Sequence, residues 1–164
     1  RNASIDGLKT GHTKEAGYCL ASSEKRGDIR FIAVVLGADK ESDRYDASQA
    51  LFNYGFAQFE EAVVLQAGQK LSTAPVYKGK VNEINVRPQH EVKLLLPVGE
   101  RSKAVAALDM QNPLIAPISE GQEIGTIRIR IGDKVYATLP AVAAESVEEA
   151  GFFKRLWHSI KLLF

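Results

Sequence analysis

Cysteine is almost absent from this sequence. Cys19 stands alone, which excludes an internal disulfide and leaves no cysteine cluster for a metal. Histidine is nearly as scarce. His90-Glu91 and His158 fit no metal-ligand spacing and there is no His-Glu-x-x-His, so neither a metal nor another cofactor is expected. Charge of one sign is missing too: 21 Lys and Arg against 20 Asp and Glu leave a formal net charge of +1, and no global field favours nucleic acid. Tyr136 and Trp157 are not interleaved with basic residues into a stacking platform, which also argues against nucleic acid. There is no internal repeat, no low-complexity tract and no apolar h-region of a signal peptide, and Arg1 stands where an initiator methionine would. What remains is 164 residues, 45% hydrophobic and 25% charged: globular composition, enough for one domain or two small ones.

Three regions separate by pattern. In residues 1–61, Gly17 to Ser22 and Ile29 to Leu36 read as strands, with a hairpin turn in the polar stretch Ser23 to Asp28. The second run is nearly continuously apolar, the pattern of a strand covered on both faces. Ser42 or Asp43 is placed to cap a helix to about Glu60, with Leu51, Phe52, Phe56 and Phe59 at helical spacing. Residues 62–142 read as all-β: short runs such as Glu91 to Leu96 are punctuated by Pro97, Gly99, Pro113 and Gly121. The clearest hairpin is Thr126 to Ile131, Gly132-Asp133, then Lys134 to Leu139. Ile127, Ile129 and Ile131 share one face there, and the glycine suits a type II′ turn. A small sandwich or barrel is expected. Residues 143–164 divide into a linker, 143–150, and a helix from Gly151.

The first region looks incomplete. A unit of about 60 residues is marginal even when compact, and this one would leave an uncovered face and an unpaired edge. The expectation is that it is the tail of a larger domain whose remainder precedes Arg1.

The chemistry is carried by Asp6-Gly7-Leu8-Lys9-Thr10-Gly11-His12-Thr13, followed by Ala16-Gly17-Tyr18. Lys-Thr-Gly is a motif of penicillin-binding proteins and serine β-lactamases. With its flanks, and with an all-β region and an amphipathic helix following in order, the chain resembles the low-molecular-mass serine-type D-alanyl-D-alanine carboxypeptidases over essentially its whole length. The rival is a Lys-Thr-Gly turn in an unrelated hairpin.

The resemblance implies an α+β fold: the tail of a transpeptidase/β-lactamase-like domain of antiparallel strands plus helix, then a small all-β sandwich and an amphipathic helix. It implies a substrate ending in a free carboxylate, a peptidoglycan pentapeptide losing its terminal D-alanine, with β-lactams as mimics. The Lys9 ammonium would bind that carboxylate by a charge-assisted hydrogen bond or tune proton transfers, and the Thr10 hydroxyl would donate to it. Gly11 would let the ligand backbone pair along the strand. The backbone N–H of His12 would complete an oxyanion hole, a donor worth about 3 kcal/mol in the transition state. Arg44 matches a family arginine near the carboxylate; the rival is a solvated arginine at a helix entry.

The family nucleophile sits in a helix-opening Ser-x-x-Lys, with a Ser-x-Asn nearby. Ser-x-Asn does not occur, and the match Ser22-x-x-Lys25 falls in the expected hairpin turn, its serine pointing away from Lys-Thr-Gly. These residues are therefore expected to contain no catalytic serine and to hydrolyse nothing alone.

In the carboxy-terminal stretch, Phe152, Phe153, Leu156, Trp157, Ile160, Leu163 and Phe164 fall within an arc of about 140°. Lys154, Arg155, His158, Ser159 and Lys161 lie opposite, and Leu162 is the misfit. The stretch is too short to span a bilayer, which takes about 20 apolar residues. It reads as an interfacial helix on anionic lipid, and the resemblance puts it on the periplasmic face of the bacterial inner membrane. The rival is a helix packed on a partner or on the β region. The alternative for the whole chain is a non-catalytic membrane-attached β module binding peptidoglycan or a partner protein.

Overall fold

In a computed structural model of the chain, residues 4–162 are described. Two compact units interleave along the sequence: residues 1–62 with 95–101, and residues 63–94 with 102–164.

The first unit holds three antiparallel strands, β1 (Ile5–Thr13), β2 (Gly17–Arg26) and β3 (Ile29–Ala38), in the order β1-β2-β3, and one helix, α1 (Glu41–Gln58). β1 is thus an edge strand. The β2–β3 turn is only Gly27-Asp28, with Gly27 at φ 59°. The expectation of a turn over 23–28 fails because Ser22, Ser23 and Glu24 are buried strand residues: their side chains are polar, but their partners are inside. Neither Ser42 nor Asp43 caps α1. The N-cap is Lys40, extended and without a side-chain cap hydrogen bond, which puts Ser42 and Asp43 inside the first turn, where the Ser42 hydroxyl donates to the Asp43 carboxylate at 3.0 Å. The helix stops at Gln58, and Phe59 already opens β4 (Phe59–Leu65). Phe52 is its most deeply buried side chain, while Leu51 is exposed. The ring of Phe31 lies against Gly55, where a Cβ would come within 3.1 Å, and meets Phe56 edge-on at 4.9 Å. β3 is covered on one face only: Ile32, Val34 and Leu36 alternate outward and are exposed among the described residues.

β4 pairs with β7 (Val92–Pro97) in a two-stranded sheet. The second unit contains β5 (Ser72–Tyr77), β6 (Glu83–Pro88), β8 (Val105–Met110), β9 (Leu114–Ile115), β10 (Glu123–Ile131), β11 (Lys134–Ala143) and α2 (Phe152–Lys161). Its six strands form one sheet in the order β8-β10-β11-β6-β5-β9. The expected sandwich is therefore lopsided. A single sheet, bulged at Glu123/Gly125 and Ile129/Arg130, curls around its own core, since bulges add twist. Leu65, Ile84, Val86, Ile124, Ile127 and Ile129 are among the residues that fill that core, and Val64, Val92 and Leu94 pack against it. In the β10–β11 hairpin Gly132 has φ 56° and Asp133 has no positive φ, as a type II′ turn requires.

Residues 143–150 are not a free linker. Val147 exchanges backbone hydrogen bonds with Ile118 at 2.9 and 2.8 Å, and Ala150 N–H donates to the Lys78 carbonyl at 2.8 Å. Val147 and Ala150 are buried; two apolar anchors tie the segment to the sheet.

Candidate functional site

The Asp6-to-Thr13 motif forms β1 almost in full. From Leu8 to Thr13 it pairs without a break against Ser22 to Gly17, and its far side is the open edge of the sheet. An edge strand offers alternate backbone N–H and C=O groups to an incoming chain. Beside it lies a groove of about 800 Å³, lined by Lys9 and Thr10 of β1, Ser22 of β2, and Tyr45, Ser48 and Gln49 of α1. Lys9 is exposed and its ammonium donates to the Thr10 carbonyl at 2.9 Å, which leaves two further donors for a ligand. Gly11 is open: a Cβ there would meet only the Cβ of Cys19, at 3.9 Å.

Arg44 is not solvated. It is 5% exposed, donating to Glu41 at 2.6 Å and to the Tyr45 hydroxyl at 3.2 Å, with Nη1 3.5 Å from the Gly11 carbonyl. Its guanidinium sits over the rings of Tyr18 and Tyr45, 5.5 and 5.0 Å from their centroids, and its buried Nε has no partner among the described residues. So enclosed, the guanidinium can act on an anion beside the motif only through its field, not by direct contact from Nε. The imidazole of His12 stacks on Tyr18 at 4.0 Å, so its ring is held and its backbone is the part left for chemistry. Lys9, Thr10, Gly11, His12 and Arg44 thus come together around one strand.

Three residues to which sequence reasoning assigned no role support this framework. Tyr18 links His12 to Arg44; its place in Ala16-Gly17-Tyr18 was visible, but a ring bridging two elements has no local signal. Ser48 bonds Ser22 at 2.5 Å in the buried floor between β2 and α1. Asp6 joins Ser23 and Arg30 at 2.5 and 2.7 Å. Ser22, expected to point away from the motif, lines the same groove. It is nonetheless 1% exposed and on a strand, where Lys25, three residues on, takes the opposite face. It lacks the helix-borne lysine partner that the Ser-x-x-Lys spacing requires.

A second surface lies on α2. Phe152, Phe153, Leu156, Trp157 and Ile160 form an exposed apolar stripe; Leu163 and Phe164 lie outside the described residues. Lys154, His158 and Leu162 are half-buried, so Leu162 lies on the docked stripe at i+4 spacing. There Nδ1 of His158 accepts the Lys78 N–H at 2.6 Å, the Lys154 ammonium donates to the Lys80 carbonyl at 3.1 Å, and Arg155 pairs with Glu149 at 2.6 Å. The polar side thus faces the β unit and the apolar side faces out. No helix among the described residues is long and apolar enough to cross a membrane, and no group of three or more His, Cys, Asp or Glu there is placed to hold a metal.

Comparison with known proteins bears on the family of the chain. Residues 59–149 match the model of the penicillin-binding protein 5 C-terminal domain, and residues 1–40 that of D-alanyl-D-alanine carboxypeptidase. The chain is 35% identical over 164 residues to D-alanyl-D-alanine carboxypeptidase DacC of Escherichia coli, covering 99% of this chain and 41% of that protein. To DacF of Bacillus subtilis it is 35% identical, covering 90% and 38%. Penicillin-binding protein 5 of Haemophilus influenzae superposes with a TM-score of 0.67 at 32% identity, over 89% of this chain and 43% of that one. The chain thus spans about two fifths of the length of these relatives.

Proposed function

Because this chain belongs to the D-alanyl-D-alanine carboxypeptidases of the penicillin-binding protein 5 type, we propose that β1 is one wall of a site that removes the terminal D-alanine from peptidoglycan pentapeptide. The observation that carries the reading is the motif's place: Lys9, Thr10 and Gly11 on an open sheet edge beside a groove, with a buried arginine 3.5 Å from the Gly11 carbonyl. A peptide laid along β1 pairs with its backbone. Its terminal carboxylate meets the Lys9 ammonium, the Thr10 hydroxyl and the field of Arg44, while the His12 N–H receives the developing oxyanion. The attacking serine, which forms the acyl-enzyme, comes from sequence outside these 164 residues, so this chain alone is inactive. The exposed face of β3, with Ile32, Val34 and Leu36, is where that remaining sequence packs. Residues 1–61 serve the peptidase domain and 62–142 a β domain that holds the site off the bilayer. Residues 143–164 carry the anchor, whose apolar stripe lies in the outer leaflet of the inner membrane on the periplasmic side.

The test is labelling of the full-length protein with a fluorescent penicillin, with and without Lys9→Ala. Wild-type labelling that falls at least about a hundredfold in the variant, the scale of losing one transition-state donor, supports the reading. Failure of the wild type to label refutes it.

A further inference from the structure

Asp6 takes no part in the chemistry just proposed, yet it stands at an irregularity of the strand that does. Ile5 pairs with Glu24 and Leu8 with Ser22, so β1 carries one residue more than β2 across that step: a β-bulge. Beyond it the register is continuous to Thr13. Which face Lys9 takes, and with it the opposite face that Thr10 takes, therefore depends on the extra residue staying in the bulge. If the pairing slips by one, every side chain of the motif turns to the other face of the sheet.

A closed triangle holds it there. Asp6 Oδ1 accepts the Ser23 hydroxyl at 2.5 Å and Arg30 Nη1 at 2.7 Å, and the same Nη1 donates to Ser23 Oγ at 2.6 Å. The three residues come from the three strands, so the triangle fixes β1 against β2 and β3 together. Ser23 is 4% exposed. The hydrogen bond from Arg30, then that from Ser23, hold the Asp6 carboxyl well below the usual carboxylate range.

We propose that Asp6, with Ser23 and Arg30, is a positioning group that locks the register of the Lys-Thr-Gly strand and so sets which of the two faces Lys9 takes and which Thr10 takes as both reach the substrate at the strand's open edge. The lock itself is independent of the carboxypeptidase reading; its consequence for substrate rests on that reading.

The native cysteine supplies a register gauge. A Cβ on Gly11 lies 3.9 Å from Cys19 Cβ, within the roughly 3.5–4.5 Å of disulfides. In the full-length protein, Gly11→Cys is expected to close a disulfide to Cys19 under mild oxidation, read by mass spectrometry of the linked peptide. Asp6→Ala or Arg30→Met added to it lowers the yield about fivefold or more, since slipped strands point the two Cβ atoms to opposite faces. The double Asp6→Ala/Arg30→Met falls no further than either alone, because the members act as one unit. Asp6→Asn, which keeps the shape and loses the charge, gives an intermediate yield and carries the test should Asp6→Ala not fold. With Gly11 retained, Asp6→Ala slows penicillin labelling about tenfold or more, the scale of a small misplacement of reacting groups, while the melting temperature is followed in parallel. An undiminished disulfide yield in both Asp6 variants overturns the lock, as does failure of Gly11→Cys alone to cross-link. A yield that depends on Asp6 in a protein that no penicillin labels upholds the lock and overturns the carboxypeptidase reading.

Discussion

If α2 seats on a membrane as proposed, its docked orientation makes that binding apolar rather than electrostatic, and the difference is measurable. Phe153 is 85% exposed. Full burial of its side chain is worth about 1.5–3 kcal/mol, so seating it in the acyl boundary contributes about 1.3–2.5 kcal/mol, roughly ten- to seventyfold in partitioning. Anionic lipid adds about 1 kcal/mol for each cation free to approach it. Were Lys154, Arg155 and Lys161 all free, anionic vesicles would bind more than about a hundredfold better than zwitterionic ones. Arg155, however, is paired with Glu149, and Lys154 reaches the Lys80 carbonyl on the side away from the stripe. Lys161 is left as the one cation of the helix without a partner among the described residues, for a preference of about fivefold. The assay is sedimentation of full-length protein with vesicles of each composition at physiological salt. Phe153→Ser should weaken binding to both by about ten- to seventyfold. Unchanged binding in that variant, or a preference for anionic vesicles above about a hundredfold, refutes the argument.

Three more expectations follow from single contacts. His158→Ala removes the acceptor of the Lys78 N–H, a bond worth about 1 kcal/mol; the Lys78 amide should exchange about fivefold faster, and an unchanged rate would show that α2 is held without it. Asp6 titrates below its unfolded value. Its contribution to stability is therefore complete above the unfolded pKa of about 3.9 and is lost as pH falls toward its folded value. Urea midpoints between about pH 5 and pH 2.5 should then fall less steeply in Asp6→Asn than in wild type, and parallel profiles would contradict the triangle. At Gly125 a Cβ would meet the Asp109 carbonyl at 2.5 Å and Met110 Cα at 2.9 Å, backbone that cannot easily move; Gly125→Ala should cost about 1–3 kcal/mol in urea unfolding, and a neutral result would show that β8 gives way.

What the sequence made legible was what is periodic or contiguous. The β10–β11 hairpin could be read from alternating isoleucines around Gly132-Asp133, because a period of two and a turn glycine are local properties. The stripe of α2 was legible for the same reason, and so was the Lys-Thr-Gly strand, eight consecutive residues. The errors came where burial is decided by partners distant in sequence. Ser23 and Glu24 read as turn residues because polar side chains prefer water, yet Glu24 is fully buried, bonded to Ser4 and Arg26 at 2.7 and 2.8 Å. For Arg44 two readings stood open, a place near the carboxylate and a solvated helix entry; Glu41, two tyrosine rings and the Gly11 carbonyl enclose it, which removes the second. Residues 143–150 read as a linker because alanines and glutamates carry no periodic signal; their anchors to Ile118 and Lys78 lie tens of residues away.

Ser22-x-x-Lys25 shows how the same spacing changes meaning with its backbone. On a helix, residues three apart share a face, and a lysine can take a proton from the serine above it. On β2 they alternate, so Ser22 turns toward α1 and bonds Ser48 while Lys25 takes the other face and is exposed. The burial of Ser22 then follows from its strand position rather than from chemistry. With a hydroxyl partner beneath α1, its polar group is satisfied in the floor of the groove. Lys9 and Thr10 are also neighbours on a strand and must likewise point to opposite faces. If both address one carboxylate, that carboxylate lies near the open edge itself, where the two faces meet, and not over either one. This is why the register of β1, and the bulge at Asp6 that sets it, matters more to such a site than the identity of any residue on the floor.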